Sequence, residues 1–199
     1  MKSALTEAVK RPAVKRHLPI ALVLTFCIGP LQCATLERLS LDDMIAKSTV
    51  IVRGKVTSSY AAFASTAPVI YTHYSLQVSD WLKGSGGNTI DIAVPGGAVS
   101  NARQSFAGAP AFSAGDEYVF FLWTSKAGLT QVIGLTQGLF SLARDGSKDP
   151  MATRSASHEL MLDRGTGHPV KDQPLIMHLS ELRSRISTTL AAPVPAVVK

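Results

Sequence analysis

Apolar and polar residues alternate through much of the stretch from 50 to 142. In TVIVRGKVTSSYAAF, Val50, Val52 and Val56 fall on one side, with Arg53 and Lys55 on the other. That is the period of a strand with one buried face. VIYTHYSLQVSDWLKG repeats it, with Tyr74, Leu76, Val78 and Leu82 opposed to His73, Ser75, Gln77 and Ser79. Trp81 then falls on the polar side of its strand. After the turn cluster GSGGN, Ile90, Ile92 and Val94 alternate with Thr89 and Asp91. EYVFFLW is apolar on both faces and predicts a central strand covered from both sides. LTQVIGL and GLFSLA complete a set of about six strands.

The flanks read differently. LSLDDMIAKS predicts a short helix: Ser40 stands where it can cap the first N–H groups, and Asp43 occupies the reciprocal capping position. Leu41, Met44 and Ile45 share one face. LSELRSRISTTL predicts a final helix with Leu179, Leu182, Ile186 and Leu190 in one stripe. The residues between 145 and that helix are polar and turn-rich and read as an extended surface segment, and 191–199 read as a disordered tail. Short strands separated by turns suggest a sandwich or a barrel, and closure hides strand edges. The expected fold is therefore mainly β: a small closed OB-like barrel over residues 35–144, followed by a segment and helix, 145–190, packing on it.

Residues 1–34 change the composition. Lys2, Lys10, Arg11, Lys15 and Arg16 precede the apolar run LPIALVLTFCIG, the order of a secretory signal peptide. Pro30 interrupts the run well short of the ~20 apolar residues a bilayer-spanning helix needs. The whole chain carries 20 Lys+Arg and 14 Asp+Glu; removing five bases and one acid leaves 15 against 13. A nearly balanced mature chain argues against nucleic acid as a partner. Cleavage near residue 34 would discard both cysteines, Cys27 and Cys33, and place the protein outside the cell or in the periplasm. A membrane attachment would require lipidation of Cys33, whose preceding residue, Gln32, is a poor context.

DMIAKSTVIVRGKV followed by YTHYSLQVSDWLKG resembles the opening of the netrin-like domain of tissue inhibitors of metalloproteinases, over residues of about 40 to 84. The resemblance implies an OB-type barrel. In that family an N-terminal cysteine chelates the target's zinc and disulfides pin the segment that carries it. Here Cys33 could take that place only after cleavage behind Gln32, and no cysteine is left to pin it. LSLDDMI, VRGKV, VPGG, GDEYVFFL and QGLF together also resemble a group of small exported bacterial proteins of unknown function.

Candidate chemistry is sparse. Gly-x-Ser-x-Gly and Ser-x-x-Lys are absent, and AFSAG around Ser113 lacks the leading glycine. SHELML offers His158 and Glu159 without a second histidine four residues on. His158, Asp163 and His168 are ligand types without a defined geometry, so no metal or cofactor is expected. In VPGGAVSNARQSFAGAP, Gly96 and Gly97 could present N–H groups to an anion beside Arg103, although Pro-Gly-Gly is also ordinary turn chemistry. Gly96, Gly97, Arg103 and Trp81 are the candidate binding residues, and the loop from Gly96 to Asp116, together with the outer faces of the first two strands, is the candidate partner surface. The expected function is a non-enzymatic, exported binding module. Its partner would be another exported protein or a cell-envelope component, and the alternative is an inhibitor of an exported metalloprotease.

Overall fold

The computed structural model describes residues 35–192, apart from Thr66 and Arg144. Residues 1–34, read above as a signal peptide, both cysteines and residues 193–199 lie outside the described residues. The elements in order are β1 (Thr35–Glu37), α1 (Leu41–Lys47), β2 (Val50–Phe63), β3 (Ile70–Lys83), β4 (Thr89–Pro95), β5 (Gly97–Val99) and β6 (Ala102–Gln104). They continue with β7 (Glu117–Thr124), β8 (Thr130–Val132), β9 (Leu139–Leu142), β10 (Met151–Arg154), β11 (Leu160–Leu162), β12 (Pro169–Val170), β13 (Leu175–His178) and α2 (Leu179–Ala191).

One large sheet has the order β13-β10-β9-β7-β2-β3-β4, with β8 also paired to β7. β8 and β9 use the same edge of β7, separated by the detour Ile133–Gly138. The sheet coils until β4, at its far edge, approaches β8. No ladder joins them. The expected closed OB-like barrel is therefore incorrect, because the sheets are open. Ile92 and Val94 of β4 and Val132 of β8 share one hydrophobic core there. Two smaller sheets, β1-β11-β12 and the hairpin β5-β6, flank it.

The alternation read from the sequence places two cores on opposite faces of this sheet. Val52, Val56, Tyr74, Leu76, Ile92, Val94, Phe120 and Leu122 form one. Ile51, Val119, Phe121, Phe140, Leu142 and Ala152 form the other with Met44 and Ile45 of α1 and Leu179, Leu182 and Ile186 of α2. β7 serves both, and Val119, Phe120, Phe121 and Leu122 are fully buried. α1 carries the expected capping box: Ser40 Oγ accepts from the Asp43 amide at 3.0 Å, and the Ser40 amide donates back to Asp43 Oδ2 at 3.3 Å.

Two differences have a local cause. The stretch after 145 is not uniformly irregular, since β10 and β13 belong to the large sheet. The β2–β3 ladder also carries register shifts, pairing Arg53 with Asp80 and Gly54 with Val78, so that Ser79 is an extra residue. Such a bulge reverses which side the following residues face. Trp81 consequently joins the core of Tyr74, Leu76 and Val78, while Leu82 turns to the helix side.

Candidate functional site

The four candidate residues are not brought together. Gly96 and Gly97 turn the chain from β4 into the β5–β6 hairpin. The Gly96 amide donates to Ile70 O at 2.8 Å, so it is consumed by the fold and does not face an anion. Gly97 has φ +141°, and a Cβ there would lie 2.7 Å from Thr72 Oγ1 and 3.1 Å from Ile70 Cγ2. Glycine is required because the hairpin crosses directly against the sheet. Gln104 fastens it: its Oε1 accepts from the Ile70 amide at 2.7 Å and its Nε2 donates to Pro68 O at 2.8 Å. Arg103 is exposed opposite Ala98 and forms no ion pair among the described residues. Trp81 is nine residues along β3 from Thr72, roughly 30 Å of strand. Its indole is half-buried in the core and overlain by Gly86, where a Cβ would sit 2.5 Å from the ring. It does not lie under the C-terminal helix.

The second half of the candidate loop does line a site. Residues 108–112 wall a cavity of about 430 Å³ with Tyr118, Ser155, Ser157, His158 and Glu159 among the residues facing them. Phe112 anchors the loop, packing edge-on against Tyr74 at 5.0 Å, Tyr118 at 5.4 Å and Phe120 at 5.6 Å. Edge-to-face geometry of this kind adds to the burial of the rings. The loop's return is closed by the Ser113 amide donating to Asp116 Oδ2 at 2.8 Å. At its start Gly108 has φ +74°, and a Cβ would lie 2.9 Å from Glu159 Cγ. The glycine lets the Glu159 side chain pass.

Pro110 also belongs to a second cavity of about 300 Å³, with Leu36, Pro95, Trp123, Ile133 and Leu135. The same loop thus separates a hydroxyl-rimmed cavity from an apolar one. Trp123 is 45% exposed; the alternation of EYVFFLW did not distinguish it from its buried neighbours. Leu135 has φ +57°, a left-handed conformation that costs a branched residue of order 1–3 kcal/mol.

The first cavity contains ingredients of acid–base chemistry without their arrangement. Ser157 Oγ accepts from the Glu159 amide at 3.2 Å, and among the described residues no hydroxyl is hydrogen-bonded to His158. His158 precedes β11 and is not on a helix. Asp163 is spent on a turn, its Oδ1 accepting from the Gly165 and Thr166 amides at 3.0 and 2.9 Å. Hydrogen bonds from Thr166 hold its carboxyl below the ordinary range. Among the described residues no three His, Cys, Asp or Glu side chains converge to hold a metal. None of the helices there is long and apolar enough to cross a membrane.

Behind the rim, the Ser157 amide donates to Asp172 Oδ2 at 2.8 Å. Asp172 also receives Arg154 through Nη1 at 2.8 Å and Nη2 at 2.9 Å. Burial alone would raise this carboxyl; the bonds from Arg154 and Ser157 and the Arg154 charge outweigh it and hold it low. Pro110 and Phe112 are the sequence signal for this site, because a loop otherwise rich in Ala, Gly and Ser has little reason to carry them unless it packs. Comparison with protein-family models and with curated protein sequences finds no match.

Proposed function

We propose that this is an exported, non-enzymatic binding module that engages another exported protein or a cell-envelope component. Its binding face is the side of the sheet that carries loop 106–112. The observation that supports this is the loop itself: residues 108–112 stand between a hydroxyl-rimmed cavity and an apolar one. Cavities of about 300–1,000 Å³ with an apolar lining and a few polar groups are the usual form of small-ligand sites. An exposed Trp123 beside one of them is the kind of aromatic that anchors interfaces. The inhibitor alternative depends on Cys33, which lies outside the described residues.

The test is site-specific photocrosslinking in the native host. A crosslinker at 156, in the first cavity, or at 123, beside the second, should give one adduct of defined mass. A crosslinker at Ser184, exposed on α2 across the sheet, should not. Equal labelling from position 184, or none from 156 and 123, would sink the proposal.

A further inference from the structure

A third cavity, of about 320 Å³, lies on the helix side, between the segment before α1, the end of β10 and α2. Three arginines from three separate elements line it: Arg38, Arg154 and Arg185. Its single acidic wall residue, Asp172, is already committed to Arg154 through both oxygens. Among the described residues Arg38 and Arg185 form no ion pair, and both are exposed. Asp163 feels the charge of Arg38 without being bonded to it. The cavity thus holds two positive charges more than it holds negative ones.

Arg154 supplies the second observation. Its side chain is 4% exposed, and Asp172 beside it is 1% exposed. Its Nη2 is further saturated by Gln173 O at 2.5 Å. Its Nε, sealed from bulk solvent, has no hydrogen-bond partner. A guanidinium has five N–H donors and a buried one left unmade is costly, so the fold keeps this cation behind the cavity wall at a cost in stability. The rest of the wall combines the apolar side chains of Leu39, Leu41, Leu175 and Met177 with Ser40 and Gln173.

We infer that this cavity binds a small organic carboxylate with an apolar body, its carboxylate received by the exposed guanidiniums of Arg38 and Arg185 over the buried Arg154–Asp172 pair, and its hydrocarbon part laid against the leucines and Met177. Arginine suits this task because its planar fork matches a carboxylate and is weakly hydrated. The apolar wall selects against inorganic anions, which gain nothing from it. The site is separate from the loop-bounded cavities and does not depend on their role.

Hexanoate, inorganic phosphate and hexylamine serve as probes, followed by calorimetry on the full-length exported protein. Hexanoate should bind saturably and more tightly than phosphate, and hexylamine should not bind. The double variant Arg38→Gln/Arg185→Gln changes only exposed side chains and keeps the Arg154–Asp172 pair; it should retain the wild-type melting temperature and weaken hexanoate at least tenfold. In the wild type, hexanoate should shift the ¹⁵Nε resonances of Arg38 and Arg185. Absence of saturable hexanoate binding would overturn the inference. So would equal binding of phosphate or hexylamine, undiminished hexanoate binding by the double variant, or unmoved Arg38 and Arg185 resonances at saturation.

Discussion

Phe120 and Phe121 are adjacent on β7 and both fully buried, yet they face two differently built halves of the molecule. Phe121 points to the side closed by α1 and α2 and meets Phe140 at 5.5 Å. Phe120 points to the side closed by the coiling sheet and a loop, meeting Tyr118 at 5.5 Å and Phe112 of the loop at 5.6 Å. Two helices fill the centre of their side, and the cavity there lies at its margin, between the segment before α1, β10 and α2. A loop pinned by one aromatic leaves space around itself, and the cavities on either side of Pro110 are that space. The contrast is between a face whose core centre is filled by helices and a face whose centre is covered by a loop with space on both sides of it.

The sharpest way to break the comparison is to hollow each side in turn. Large-to-small core changes cost more where the surroundings cannot collapse. Phe121→Ala should lose about 4 kcal/mol and Phe120→Ala about 3 kcal/mol, because a loop relaxes into a void more readily than a pair of helices. Urea unfolding measures both. A Phe120→Ala cost equal to or larger than that of Phe121→Ala would show that the loop side is packed as tightly as the helix side.

Next in size is the buried ion pair of Arg154 and Asp172. Asp172→Asn leaves Arg154 charged in a dry site and should cost about 3 kcal/mol, as removal of one partner of a buried pair does. Glu37→Gln breaks the half-exposed contact with Lys47 at 3.1 Å and should cost about 0.5 kcal/mol or less. The pH dependence has a defined sign. The folded-state pKa of Asp172 is depressed, so its stabilisation is present above the ordinary 3.8 and is lost as pH falls through the lower folded value. The wild type should therefore lose stability more steeply below pH 4 than Asp172→Asn. Parallel acid slopes would remove Asp172 from the account.

How much of this was legible varies along the chain. The capping box at Ser40 and the stripe of Leu179, Leu182 and Ile186 were readable because local chemistry decides them; Leu190, at the frayed end of the stripe, is 43% exposed. The two-sided burial of β7 was readable because a strand apolar at every position has no alternative. Trp81 was misplaced because a one-residue bulge at Ser79 reverses the face and leaves no mark in the hydrophobic pattern. The strands after 145 were missed because each has only two to four residues and their inward positions include Arg154, which only its partner Asp172, 18 residues away, makes tolerable inside. Barrel closure could not be read at all, since it depends on whether β4 and β8 meet as ladders or as side chains. The candidate site inherited these limits: its loop was visible, while Ser155, His158 and Glu159 came from the segment read as plain surface.

The smallest expected effect tests what holds α1 to the sheet and so keeps the helix-side core covered. Lys83, at the end of β3, donates from Nζ to Ile45 O at 2.6 Å and Ala46 O at 3.1 Å, carbonyls at the end of α1. Lys83→Met keeps the aliphatic stem and removes both bonds, and should cost about 1 kcal/mol at pH 7. Burial lowers the Lys83 pKa below 10.5, so between the folded and unfolded values the unfolded chain holds more protons and wild-type stability rises with pH. The methionine variant lacks that rise, and the gap between the two proteins should widen from pH 7 to pH 10. Hydrogen exchange should show the α1 amides opening faster in the variant while those of β7 are unchanged. A gap that narrows with pH would mean that the positive charge itself, drawn to the carbonyl end of the helix, holds α1 in place more than its desolvation opposes it.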